Sequence, residues 1–74
     1  MTDYRNHIEI KPDVRFGKPC VKSTRISVAD VLGWLATGMD TREIINDFPE
    51  LSEEDVYACL AYAADREHRI RVIS

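Results

Sequence analysis

The chain predicts a mainly α domain, a three-helix bundle behind a short N-terminal β-element. Three observations carry that expectation. Residues 1–27 hold Gly17, Pro12 and Pro19 and show no helical period. From Ser27 onward apolar residues recur at three- and four-residue spacing. Ser27, Asp40 and Ser52 each stand immediately before such a stripe, where a helix cap belongs.

His7-Ile8-Glu9-Ile10 alternates polar and apolar before Pro12 stops it, which predicts a short edge strand. A second short strand fits either Cys20-Val21 or Thr24-Arg25-Ile26. Ser27 caps a helix over 28–37, with Val28, Val31, Leu32 and Leu35 on one face and Gly38 at the left-handed C′ position. Asp40 caps a helix over 41–47, and Glu43 is spaced to bond back to the cap amide. Pro49 ends that helix and disfavours helical geometry at Phe48. Ser52 caps a helix over 53–68, whose first turn holds Glu53, Glu54 and Asp55, as the helix dipole favours. Leu51 and Val56 have the spacing of a hydrophobic staple, and Val56, Cys59, Leu60 and Ala63 form the main stripe. Arg69 to Ile73 alternates, which suits either a terminal strand or a frayed tail at 69–74.

Seventy-four residues make one domain, read as a basic extended arm with short strands over 1–27, a three-helix body over 28–68 and a tail over 69–74. A chain this short buries only roughly 60% of its unfolded surface, so a dimer or a bound partner is expected to support it. With 45% hydrophobic and 31% charged residues the composition is that of a soluble globular chain, and no apolar run is long enough to span a membrane. The polar start Met1-Thr2-Asp3-Tyr4-Arg5 has no signal-peptide pattern, so a cytoplasmic location with Cys20 and Cys59 as free thiols is expected.

The net charge of −3 is an average over unlike segments. Residues 1–27 carry six bases and three acids, a balance of +3, whereas residues 28–68 carry two bases and ten acids, a balance of −8. Such asymmetry signals either a polar partner surface or two halves of one surface that attract each other.

Candidate chemistry is sparse. Cys20, Cys59, His7 and His68 share no metal-knuckle spacing, so no metal site is predicted. Cys20 lies among Lys18 and Lys22 but has no sequence-near His to activate it. Gly17 to Thr24 superficially resembles a phosphate loop. It fails because Lys22 stands where the second Gly is required and Pro19 removes an amide donor. With no catalytic constellation and no cofactor motif, the chain is not expected to be an enzyme on its own. Trp34 lies off the main stripe of its helix and belongs either in an interface or at the edge of the core. Trp34 and Tyr62 are the candidate partner-interface residues.

The second and third helices, preceded by a first, have the order of a helix-turn-helix unit. In that motif the start of the last helix reads base edges, but here it offers Ser52, Glu53, Glu54 and Asp55, which repel phosphate. Nucleic-acid contact is therefore expected from Lys11, Arg15, Lys18, Lys22 and Arg25.

Arg15 to Val28 resembles the fGkPxikGTRixV signature of the domain of unknown function 433 family. Asp30 to Gly38 is similar to its dvLxxLaxG segment, Glu43 to Ser52 to eeIlxdyPxLt, and Asp55 to Ala64 to edixAaLxyA. The likeness covers about residues 8–68 and departs at Ser23, where the pattern has Gly. It implies a homeodomain-like or winged-helix-like fold and a VapB-like antitoxin: a DNA-binding homodimer that regulates transcription and pairs with a PIN-like ribonuclease toxin. The resemblance carries over no catalytic residue. Arg25, within the Thr-Arg-Ile match, is the best single candidate for binding, the alternative being a structural tie to Asp30 or Asp47. The alternative function is a protein–protein module without DNA binding, in which the acidic helices engage a basic partner.

Overall fold

The structure, a computed structural model, describes residues 3–70, with side chains through residue 67. Two strands and three helices follow one another: β1 (Ile8–Glu9), β2 (Cys20–Val21), α1 (Val28–Ala36), α2 (Thr41–Asp47) and α3 (Glu53–Ile70). The domain is mainly helical, with a two-stranded antiparallel sheet near the N-terminus that pairs Ile8 with Val21 and Glu9 with Cys20. Of the two places open to the second strand, Cys20-Val21 takes it. Cys20 also bridges to Ser27 on its other side, so β2 lies between β1 and the entry to α1.

Each helix starts on a capping box. Ser27 Oγ accepts from the Asp30 amide while Asp30 accepts from the Ser27 amide. Asp40 and Glu43 repeat the exchange at α2, and Ser52 and Asp55 at α3. Two donors that the helix cannot satisfy internally are thus paired at each start. α1 ends in a Schellman motif. The Met39 amide donates to the Trp34 carbonyl and the Gly38 amide to that of Leu35, with Gly38 at φ +100°.

Val21, Val31, Ile44, Val56 and Cys59 are buried at the centre, joined by Ile8, Ile26, Val28, Leu51 and Ala58. Leu51 and Val56, the staple pair, are both in this core. Two expectations on α3 change. Leu60 is 43% exposed, while Ala58 is buried in its stead, because the neighbours that cover α3 lie on the Val56–Cys59 side. The helix also continues through Ile70, so Arg69 and Ile70 are not strand, and the remainder of the expected tail, 71–74, lies outside the described residues.

The basic N-terminal stretch does not stand away from the body as an extended arm. A 3₁₀ turn at Tyr4–Asn6 packs against α3. The Tyr4 hydroxyl donates to Asp65 Oδ2 at 2.6 Å, and its ring meets Tyr62 edge-on at 5.4 Å. His7 Nδ1 lies 2.9 Å from Asp55 Oδ1. Acidic groups of α3 thereby hold Tyr4 and His7 in place.

Candidate nucleic-acid interface

Two loops flank β2, and both have unusual backbone. In the first, Arg15, Phe16 and Gly17 have φ of +50°, +58° and +80° in succession. They form one left-handed turn, closed by the Gly17 amide on the Val14 carbonyl (3.1 Å) and the Lys18 amide on the Arg15 carbonyl (3.2 Å). Side-chain residues lose about 1–2 kcal/mol each in this region, so the surroundings must hold the turn. Arg15 supplies that hold. One guanidinium nitrogen donates to the Arg25 carbonyl at 2.8 Å and to Asp30 Oδ2 at 3.0 Å.

The second loop runs through Lys22-Ser23-Thr24-Arg25. The Thr24 amide donates to the Val21 carbonyl, with Ser23 at φ +65° in the third position of the turn, where a type II turn requires positive φ. The Thr24 hydroxyl donates to the Val21 carbonyl at 2.9 Å and accepts from the Ile26 amide at 3.0 Å, closing the loop onto β2. Through Arg15 and the Arg25 carbonyl, the two loops form one unit.

The five candidate cations sort unequally. Arg15 is half-buried and committed to Asp30. Lys11 is exposed and 3.6 Å from Glu9. Lys18, Lys22 and Arg25 are exposed and form no ion pair among the described residues. The structural tie to Asp30 that the sequence offers Arg25 is made by Arg15, because the left-handed turn brings its guanidinium over the start of α1. Arg25 contributes its carbonyl and leaves its side chain to solvent. Phe16, between Arg15 and Lys18 in the chain, is 98% exposed, a feature that sequence reasoning missed; the adjacent Gly17 is its only local signal of a turn.

Burial opposes ionisation of the Asp30 carboxyl, but the Ser27 amide and hydroxyl and the Arg15 guanidinium outweigh it and lower its pKa below the ordinary carboxylate value. Cys59 is different: burial, aided by the nearby Asp55 charge, pushes its thiol up to about 12. Cys20 is buried too, its Sγ 3.3 Å from the Lys18 carbonyl. Among the described residues no three His, Cys, Asp or Glu side chains gather as a metal site would need.

Trp34 and Tyr62 both have partners within the chain. Trp34 stacks on Phe48 at 4.1 Å, with the ring planes 8° apart. Tyr62 accepts from Arg66 at 3.1 Å and lines a groove of about 380 Å³ between α1 and α3, with Pro19, Leu32 and Ala63 among the other walls. Two of the three carboxylates at the start of α3 have partners: Asp55 is held by His7 and Ser52, and Glu54 lies 3.9 Å from His7 Nε2.

The family described as Protein of unknown function (DUF433) matches residues 8–63, from β1 into α3. The chain belongs to the DUF433 family. Both loops and all three capping boxes fall inside the DUF433 match. A crystal structure of a DUF433 member protein from Anabaena variabilis ATCC 29413 is similar, with a TM-score of 0.80 and 28% identity. The alignment covers 90% of this chain and 66% of that one, so this chain spans slightly less than two thirds of the relative's length. No curated protein matches the chain. Among the described residues no helix is long and apolar enough to cross a membrane. Ser23, the departure from the DUF433 pattern, adopts the left-handed φ that a Gly takes without strain.

Proposed function

We propose that this DUF433 chain is a small DNA-binding regulator of the antitoxin type, which grips phosphates with the two loops beside β2. The observation that carries the reading is the set of three exposed cations, Lys18, Lys22 and Arg25, which form no ion pair among the described residues and stand on loops that Arg15 ties together. Cations held on a fixed backbone bind phosphate with little ordering cost, and each phosphate contact releases counterions. The start of α3 is acidic, and its Asp55 is committed to His7, which supports loop contacts over recognition-helix contacts. A homodimer would double the basic surface. Tyr57 and Leu60, 45% and 43% exposed at helical spacing on α3, are apolar area that a second copy can bury. Pairing with a PIN-like ribonuclease toxin rests on the family resemblance.

A gel shift against the DNA upstream of the chain's own gene, at low and moderate salt, tests the reading. A shift that weakens with salt and with Lys18→Ala, Lys22→Ala and Arg25→Ala together is expected. No shift by the chain, alone or with a co-expressed neighbouring nuclease-like protein, would discard the DNA reading. The same exposed Tyr57 and Leu60 favour the second reading, a protein–protein module, for which co-purification without any DNA shift is the expected result.

A further inference from the structure

We propose that Phe16 is a base-stacking residue: its ring lies on the face of an unstacked nucleobase whose flanking phosphates meet Lys18, Lys22 and Arg25. The inference rests on the nucleic-acid reading above and assigns it a base contact. A phenylalanine 98% exposed is far from the usual fate of a large apolar side chain. It stands on a turn of three consecutive left-handed residues, a backbone that local preference alone would abandon. Arg15 keeps that backbone in place through the Arg25 carbonyl and Asp30, so the projection of the ring is built into the fold.

Charge decides what covers the ring. Lys18 follows it by two residues, and Arg25 belongs to the loop that the Arg15 side chain tethers. Neither cation, nor Lys22, has a carboxylate partner among the described residues. A partner that offers flat aromatic faces at intervals along a polyanion satisfies the ring and the cations together. Aromatic side chains set among basic residues bind single strands in this way, and apolar wedges open duplex steps by the same stacking. The shared chemistry is one base face between phosphates, supplied by a single strand or by an opened duplex step.

The test is fluorescence anisotropy with a labelled oligonucleotide of about 16 nucleotides, the upper end of a single-fold site, as a single strand and as a duplex. Wild type, Phe16→Ala, Phe16→Trp and the triple variant Lys18→Ala/Lys22→Ala/Arg25→Ala are compared as full chains. Phe16→Ala is expected to weaken binding roughly tenfold without changing its salt dependence, and Phe16→Trp to restore it. Loss on the single strand alone identifies the base as single-stranded; loss on both identifies an opened duplex step. Phe16→Ala binding as well as wild type, while the triple variant has lost affinity, would overturn the stacking role and leave the nucleic-acid reading standing. Wild type that binds neither probe would remove both. A Phe16→Ala chain that changes oligomeric state in sedimentation, with unchanged oligonucleotide affinity, would assign the ring to a protein contact and overturn the proposal. Because the ring touches solvent, an unchanged melting temperature in Phe16→Ala checks that the fold is intact.

Discussion

The Arg15 guanidinium lies 3.0 Å from Asp30 Oδ2, the same oxygen that accepts the Ser27 amide in the α1 capping box. One carboxylate therefore caps a helix and anchors the left-handed turn that carries Phe16. The cap and the loop are linked through a single side chain.

That linkage makes Asp30→Ala costlier than loss of an ordinary cap. Removing the back-bond and the partner of Arg15 together is expected to destabilise by about 1–2 kcal/mol: roughly 1 for a cap and less than 1 for a pair one-third exposed. Arg15→Ala should cost less in stability, because the box survives, yet loosen both loops. Folding is also acid-sensitive here. The folded pKa of Asp30 is lowered, so its contribution is present above the unfolded value of about 3.9 and disappears as the pH falls below that, through the folded value. Melting temperature measured down an acid series should fall less steeply in Asp30→Asn than in wild type. Parallel acid limbs would show that Asp30 contributes nothing.

At Ser23 the prediction concerns backbone alone. Glycine relieves about 1 kcal/mol of left-handed strain but loosens the unfolded chain by about 0.4–1 kcal/mol, so Ser23→Gly should be neutral to mildly stabilising. A β-branched residue has no such freedom, and Ser23→Val should destabilise by about 1–3 kcal/mol. Denaturant titration of both variants measures this. A fully tolerated valine would contradict the left-handed turn.

Much of this fold was legible because its signals are local. Ser27, Asp40 and Ser52 stand immediately before their helices, and Gly38 falls where the α1 Schellman motif needs it. The same local rule hid the second halves of two boxes: Asp30 and Asp55 bond back to their caps, a role usually looked for in Glu or Gln. What stayed hidden joins distant residues. Tyr4 to Asp65 and His7 to Asp55 bridge 61 and 48 positions, and nothing in either neighbourhood announces the other. Those contacts turn an expected arm into part of the body. At the candidate interface, the sequence proposed five cations but not their division of labour, since choosing Arg15 over Arg25 for Asp30 depends on positive φ at a non-glycine residue.

Cys59 should behave as a buried apolar group. With its thiol pushed up to about 12, the native chain at neutral pH is expected to resist iodoacetamide at Cys59, and the unfolded chain to react. The raised value also means that its contribution to stability is complete below the unfolded value of about 8.5 and is lost as the pH climbs toward 12. Mass spectrometry after a timed alkylation distinguishes the states. Rapid native labelling of Cys59 would contradict its burial.

The proposed binding role of Lys18, Lys22 and Arg25 is tested most directly by the salt dependence of duplex DNA affinity, wild type against Lys18→Ala/Lys22→Ala/Arg25→Ala. Each phosphate contact contributes about 0.9 to the slope of log K against log salt, so removing three should flatten it by roughly 3. A triple variant whose slope and affinity equal those of wild type would contradict phosphate binding by these loops.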